Sequence, residues 1–340
     1  MTQQTNSDSP SVVISNPRSG GNKKGGIDKF KSLMAGYPDI EHIILSDFNR
    51  IDHALEKAKD NNRKIIIVNG GDGTLQSILT FLKREGNQSY NPELVLMKSG
   101  TTSMCYGDVG FKTGARNMLN AVSHYGADEN SLINKKSRQV LRMTLPTKGT
   151  SVCGMFFGAA AIYSGILYCR QNIHTRGIRG ETGPALAMLR FLFDWMTVNK
   201  IAGSTSASID IDQQETISGD FSIIAATTLK RLLAGVYPFW GHDPAKDTYA
   251  LSLIRHGAPK SIRSVLKILR GRTLTTELNN TYYHSYHVSR ALLNISGGFT
   301  LDGELFGEQG KSNKVILESA GPVTFLTARI NLYANICIHH

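Results

Sequence analysis

Over the first third of the chain, short β-branched apolar runs alternate with amphipathic ones. Ser11–Ser15 (SVVIS), Ile40–Leu45 (IEHIIL), Lys64–Val68 and Leu94–Met97 predict four strands. Between and after them, apolar positions at helical spacing predict helices at about Ile27–Ala35, Ile51–Lys59, Leu75–Arg84 and Gly114–Tyr125. Strands that alternate with helices predict a parallel sheet covered on both faces. Ligands in such sheets bind beyond the carboxyl ends of the strands. The glycine-rich loops fall at those ends: Asn16-Pro17-Arg18-Ser19-Gly20-Gly21 after the first strand and Gly70-Gly71-Asp72-Gly73-Thr74 after the third.

The pattern changes near Asn134-Lys135-Lys136 and becomes mostly strand-like. Arg138–Leu145, Ser206–Ile211, Asp220–Thr227, Thr248–Ile254, Tyr282–Val288 and Ala291–Ile295 predict strands, with helical insertions near Pro184–Met196 and Ser261–Arg270. Residues 1–10 (MTQQTNSDSP) are polar and read as a flexible leader. A length of 340 residues with 41% hydrophobic content suits two packed domains.

Charge and chemistry narrow the picture only in part. The net charge of +11 suits phosphates, nucleic acid or anionic lipid as partners. Four scattered cysteines form no CxxC pair, and the ten histidines show no metal-ligand spacing, so neither a zinc site nor a disulfide framework is indicated. No apolar run is long enough to span a bilayer, and no signal-peptide order is seen, so the cytoplasm is the expected compartment.

The turn Gly70–Thr74 carries the sharpest signal. Glycine tolerates close approach and positive φ, and the helix that follows contributes its N-terminal dipole, so the turn suits phosphate. Asp72 would repel phosphate unless a metal intervened, which points to Mg²⁺; the alternative is that Asp72 caps the helix starting at Thr74. No Gly-Lys-Ser/Thr follows, so this is not a Walker A loop. The C-terminal Leu301-Asp302-Gly303-Glu304 predicts a β-hairpin turn, which is also a way to present an aspartate.

Taken together, NPRSGG, GGDGT, Ser99-Gly100-Thr101-Thr102 and LDGE resemble the catalytic domain of the diacylglycerol kinase family, which includes sphingosine, ceramide and bacterial lipid kinases. The resemblance runs from about residue 11 to 330. It implies a two-domain lipid-kinase fold, with an N-terminal phosphofructokinase-like, Rossmann-like parallel α/β domain and a C-terminal antiparallel β-sandwich. The α/β domain would span 11–135, with about 322–340 returning to it, and the β-rich substrate domain 136–321. The implied reaction is transfer of a phosphoryl group from ATP, with Mg²⁺, to a lipid hydroxyl. Asn16, Ser19, Gly20, Gly70, Gly71, Asp72, Gly73, Thr74, Gly100 and Thr101 would line the nucleotide site. Asp302 would be the general base, and Glu304 would orient it or help hold Mg²⁺. Three departures stand out: Ser103 replaces the family's usual Asn, Lys98-Ser99 stands where a Pro-containing turn often precedes the Gly, and Asp247-Thr248 replaces an Asp-Gly pair of a metal loop. Asp243 and Asp247 are either a second Mg²⁺ site or a solvated acidic loop.

A lipid kinase must reach a membrane surface. The basic stretches Arg170–Arg190 and Lys260–Arg272 are candidate docking segments, through Arg176, Arg179, Lys267 and Arg270; the alternative for each is an ordinary surface helix. The expected location is therefore cytoplasmic, peripherally associated with the inner face of the membrane. The expected partners are a membrane lipid substrate and an anionic surface. The rival readings are an NAD kinase-like enzyme and a non-catalytic nucleotide-responsive membrane module. No nucleic-acid-binding signature accompanies the charge.

Overall fold

The structure, a computed structural model, describes residues 10–100, 104–126, 132–176, 204–232, 239, 247–258, 281–308 and 310–329, without the side chains of 169 and 171–176. The leader (residues 1–9), both helical insertions, Thr101, Ser103, Arg179, Asp243, Lys267, Arg270 and the last eleven residues lie outside them.

The first strands are β1 (Ser11–Ser15), β2 (Glu41–Ile44), β3 (Ile65–Asn69) and β4 (Glu93–Leu96). They pair in parallel in the order β4-β3-β1-β2. Every residue of β1 and β3 is buried, which explains their unbroken apolar sequence: these central strands are covered on both faces. Alternate residues serve opposite faces. Val12, Ile14, Ile66, Val68, Leu94 and Leu96 share one core with α2 (Ile51–Asp60) and α3 (Asp72–Leu82). Val13, Ile65, Ile67 and Val95 share the other with α1 (Gly26–Met34) and α5 (Ala115–Ser123). A short helix, α4 (Met104–Val109), stands between β4 and α5.

The antiparallel region begins with β5 (Ile133–Leu145), β6 (Thr150–Gly154) and β7 (Phe156–Ala160), followed by α6 (Ala161–Arg176). It continues with β8 (Thr205–Ile211), β9 (Glu215–Thr227), β10 (Tyr249–Arg255), β11 (Tyr283–Val288) and β12 (Arg290–Ser296). The hairpin β13 (Phe299–Leu301) and β14 (Glu304–Phe306) leads to the long β15 (Ser312–Ala328). Inward residues of nine of these strands, among them Met143, Phe157, Ile209, Phe221, Leu251, Val288, Leu293, Leu301 and Leu317, form one core. The fold class expected from the sequence is thus observed: parallel α/β first, antiparallel β second.

Several elements differ from the sequence expectation. β5 begins at Ile133, not Arg138, and runs through positions 135 and 136 without a break. Its polar first half, INKKSR, pairs along β15 from Arg138↔Val323 to Ile133↔Ala328. Charge on that half is matched by acids elsewhere in the fold, such as Glu93 for Lys135 at 2.6 Å. β6, β7 and α6 were not anticipated, because Gly158, Ala159 and Ala160 have little intrinsic strand preference. Glycine is needed at 158 for packing: a Cβ there would lie 2.4 Å from Ile162 Cγ2 of α6.

β15 joins the two regions. Its first half pairs with β12, its length pairs with β5, and Phe325 pairs with Leu94 of β4. The register shifts between Ser319 and Pro322, where Gly321 has φ 82°. Such a bulge bends and twists a strand, which lets one segment join the parallel and antiparallel regions of one continuous sheet. Phe325 is fully buried at the junction. Phe325→Ala is expected to destabilise the protein by about 3–5 kcal/mol, measured by urea denaturation; a change under about 1 kcal/mol would show that the junction does not depend on this side chain.

Candidate active site

Three loops meet at the carboxyl ends of β1, β3 and β4. Ser19 Oγ accepts from the Gly71 amide at 3.1 Å, and Asn16 Nδ2 donates to Thr74 Oγ1 at 3.0 Å. The Gly21 amide donates to the Ser99 carbonyl at 2.9 Å. The backbones are close: a Cβ on Gly21 would lie 3.2 Å from Ser99 Cα, and one on Gly71 would lie 3.5 Å from Gly100 Cα. Gly70 is fixed by its own helix, since a Cβ there would lie 2.5 Å from Thr74 Oγ1. Asn16, Ser19, Gly70, Gly71, Asp72, Gly73, Thr74 and Gly100 are therefore assembled as one cradle. Gly20 begins the short 3₁₀ turn beside it.

Beneath the loops runs a buried polar chain that the sequence reading did not single out. Ser99 Oγ donates to Asn69 Oδ1 at 2.5 Å, and Asn69 Nδ2 donates to Ser15 Oγ at 3.0 Å. Ser15 Oγ in turn lies 2.8 Å from His42 Nε2. The Asn69 carbonyl accepts from the Asn16 amide and from Asn22 Nδ2. Through its side chain and its carbonyl, Asn69 thus ties the end of β3 to β1, to the loop after β1 and to the loop after β4. The available signal was a polar Asn at the end of the apolar run Ile65–Val68.

Asp72 does not cap its own helix. α3 begins at Asp72 with Gly71 as its N-cap and no side-chain cap bond. The carboxylate instead accepts from the Met104 amide at 3.0 Å and the Cys105 amide at 3.3 Å, at the start of α4. Its carboxyl is raised above the usual range by burial, against the pull of those amides and the Cys105 thiol.

Asp302 lies in the antiparallel region, buried in the turn between β13 and β14. The hairpin turn Asp302-Gly303 has φ 49° and 88°, the two left-handed positions of a type I′ turn. The hairpin turn expected from the sequence is observed, and it presents the aspartate. Phe156 N–H donates to Asp302 Oδ1 at 2.9 Å, and Met155 N–H reaches both carboxylate oxygens at 3.1 Å. Gly154 makes room for them, because a Cβ there would lie 2.4 Å from Asp302 Oδ2. Gln76 Nε2 of α3 donates to the Leu301 carbonyl at 3.0 Å, fastening the hairpin to the glycine turn's helix. Burial, and then the charge of Asp72, push the Asp302 carboxyl up to about 8.

Glu304 does not orient Asp302; the two amides do. The Glu304 side chain is half exposed and lies 3.4 Å from Arg170 Nη2, which also donates to the Gly303 carbonyl at 2.9 Å. Arg170, read from the sequence as the start of a docking stretch, holds the hairpin turn instead. Arg176 ends α6. Asp247 accepts from Gln139 Nε2 at 3.1 Å. Among the described residues no group of three His, Cys, Asp or Glu side chains is arranged to hold a metal. Asp72 faces the cleft, and Glu304 Oε1 lies 3.8 Å from where a Gly73 Cβ would stand. Two carboxylates beside a phosphate cradle suit Mg²⁺, which is commonly held by one or two carboxylates plus substrate phosphates.

Residues 10–133 match the diacylglycerol kinase catalytic domain family. That match bears out the resemblance read from the motifs and implies a kinase. No curated protein matches the chain in sequence. Among solved structures, a candidate diacylglycerol kinase from Bacillus anthracis str. Sterne is similar at 14% identity and a TM-score of 0.65, covering 96% of this chain and 97% of its own. A diacylglycerol kinase from the same strain is similar at 14% identity and a TM-score of 0.61, covering 93% of this chain and 96% of its own. At such identities the likeness is one of fold, and it extends over both the parallel and the antiparallel regions.

Asn69→Ala would leave the buried hydroxyls of Ser15 and Ser99 without this partner. A loss of about 1–3 kcal/mol is expected in denaturant unfolding, together with faster hydrogen exchange at the Asn16 and Gly21 amides. Unchanged exchange there would mean the loops are held without the Asn69 chain.

Proposed function

We propose that the protein is an ATP-dependent lipid kinase that phosphorylates the free hydroxyl of a membrane lipid. Diacylglycerol is the first candidate; ceramide or a sphingoid base is next. The observation that carries this reading is that the hairpin bearing Asp302, in the antiparallel region, is fastened by the 3.0 Å bond from Gln76 Nε2 to the Leu301 carbonyl onto the helix that Asp72 and the glycine turn begin; the charge of Asp72 also raises the Asp302 pKa. A proton acceptor thereby faces a phosphate cradle.

The geometry supports the following division of labour. The glycine loops and the N-terminal end of α3 hold the nucleotide phosphates. Asp302 accepts the hydroxyl proton as the new oxygen–phosphorus bond forms and the bond from the γ-phosphorus to the bridging oxygen breaks, ADP leaving with the electron pair. The Met155 and Phe156 amides fix the direction of the accepting carboxylate. Arg170 steadies the turn that carries it. Asp72 and Glu304 would hold Mg²⁺ with the phosphates, where it neutralises their charge. The site of action is the cytoplasmic face of a membrane, reached peripherally.

Only ionised Asp302 can accept a proton. With its pKa raised to about 8, the rate is expected to climb about tenfold per pH unit below that value and to level above it. Asp72 is coupled to it, so the profile reports the pair. The same shift bears on folding. The folded-state pKa lies above the unfolded value of about 3.9, so this group's stabilising contribution is complete below that pH and is lost as pH rises through about 8. A kcat/KM profile flat between pH 6 and 9 would remove Asp302 as the base.

The deciding assay is labelled ATP with Mg²⁺ and mixed micelles holding diacylglycerol, ceramide or sphingosine, beside soluble NAD. A labelled lipid is expected, with Asp302→Asn reducing turnover by about 10²–10⁴-fold while the amides of Met155 and Phe156 still find an acceptor oxygen. Label on NAD alone would overturn the lipid-kinase reading.

A further inference from the structure

The far end of α4 carries a charge cluster that the phosphoryl-transfer chemistry does not use. Asp108, buried there, accepts from Arg138 Nε at 2.8 Å, Arg138 Nη2 at 3.0 Å and the Lys230 amide at 2.9 Å. Lys136 Nζ donates to the Asp108 carbonyl at 3.1 Å. Burial pushes the Asp108 carboxyl up, but the bonds from Arg138 and Lys230 and the charges of Arg138 and Lys136 outweigh it and hold the group below its ordinary value. It stays ionised, and the Arg138 guanidinium takes up its charge in a bidentate pair.

What remains around this pair is cationic. Lys112, Lys230 and Arg231 are exposed and Lys136 is half exposed. They converge from three places: Lys112 lies just beyond α4, Lys136 lies on β5, and Lys230 and Arg231 follow β9. Partial burial lowers the Lys136 pKa; Asp108 opposes this, and the charges of Arg138, Lys112 and Arg231 reinforce it. Cations that depress one another's protonation make a surface that gains from a bound anion.

The patch adjoins the cleft. The first amides of α4 hold Asp72, and Asp108 follows about one helical turn, ~5 Å, further on. On the other side, the Thr228 amide donates to the Met155 carbonyl at 3.0 Å, and the Met155 amide holds Asp302. The cations lie at the opposite end of α4 from the glycine loops, so they face a different anion from the nucleotide.

We propose that Lys112, Lys136, Lys230 and Arg231 form the face that docks this protein onto an anionic bilayer, turning the cleft toward the surface that supplies the acceptor hydroxyl. The purpose assigned to this face rests on the lipid-kinase reading, whereas vesicle binding tests it without any catalytic turnover. No described helix is long and apolar enough to cross a membrane, so such a kinase would hold the surface by charge. The headgroups would be phosphodiesters of an anionic phospholipid.

The test is sedimentation of the full chain with vesicles of phosphatidylglycerol and phosphatidylcholine, against phosphatidylcholine alone, at low and high salt. Binding is expected only to the anionic vesicles and is expected to weaken with salt. Each cation near a charged surface contributes about fivefold in affinity. Lys230→Glu with Arg231→Glu should therefore weaken binding by at least about 25-fold, and adding Lys112→Glu should weaken it further. The milder pair Lys230→Gln with Arg231→Gln keeps the test open if charge reversal disturbs folding. Phosphorylation of a water-soluble short-chain diacylglycerol should stay within about twofold of the unaltered protein, since these side chains lie outside the cradle and the hairpin.

Undiminished vesicle binding by a folded variant would overturn the proposal. So would equal binding to neutral vesicles, or a single-stranded oligonucleotide that binds more tightly than the vesicles and is lost with the same substitutions. If no lipid accepts phosphate at all, the kinase reading fails while the vesicle result still decides the docking face.

Discussion

A carboxyl group buried away from water needs donors, and the site is organised around meeting that need for Asp302. The donors are the backbone amides of Met155 and Phe156. For them to reach it, position 154 must lack a side chain and the hairpin must turn through two left-handed residues. Backbone donors cannot rotate away as side chains can, so the direction of the carboxylate is set by the sheet itself. The residual penalty of burial, with Asp72 nearby, raises the pKa into the range where a base is useful near neutrality. Stability and chemistry oppose each other at this residue, as is common where charge is kept in a cleft.

That arrangement works only if the two regions of the chain keep a fixed relation. β15 and Gln76 maintain it at different scales. β15 lies between the parallel and antiparallel regions of one sheet, with a register shift beside Gly321, and its Phe325 enters the core shared by β4, α2 and α3. Gln76 makes one buried bond from the helix of the glycine turn to the strand that carries Asp302. The first contact aligns whole sheets and the second sets a local separation. Because the core shared with α3 also includes Val140, Met155 and Phe156, movement of one region against the other would expose apolar surface.

Charge is sorted by depth. Acids lie at the centre: Asp302 and Asp108 are buried, and Asp72 lines the cleft. Cations stand at the rim, with Arg170 on the hairpin turn and Lys112, Lys230 and Arg231 beyond α4. The ionised Asp108 is satisfied by Arg138 and so holds three elements together without drawing the outer lysines inward.

The sequence by itself determined the parallel layer and the identity of the loops. Strands such as Ile65–Val68 must be apolar at every position because both faces are covered, and that leaves a local signature. Gly70–Thr74 and Asp302-Gly303 were legible for the same reason: positive φ and close approach restrict residue type at the position itself. Tertiary structure decided the rest. Nothing local marks INKKSR as strand, since its charges are tolerated only because Glu93 and Asp108 arrive from elsewhere. Gly158 and Ala159 are a strand because α6 packs on them, not because they favour one. Asp72 does not cap its own helix; it holds the amides of Met104 and Cys105, which only the folded chain brings within reach. Asn69 and Arg170 carry no motif, and their roles come from the neighbours that the sheet and α6 supply. Local conformational demands are written residue by residue, whereas the partners of a polar group are set by how the layers close.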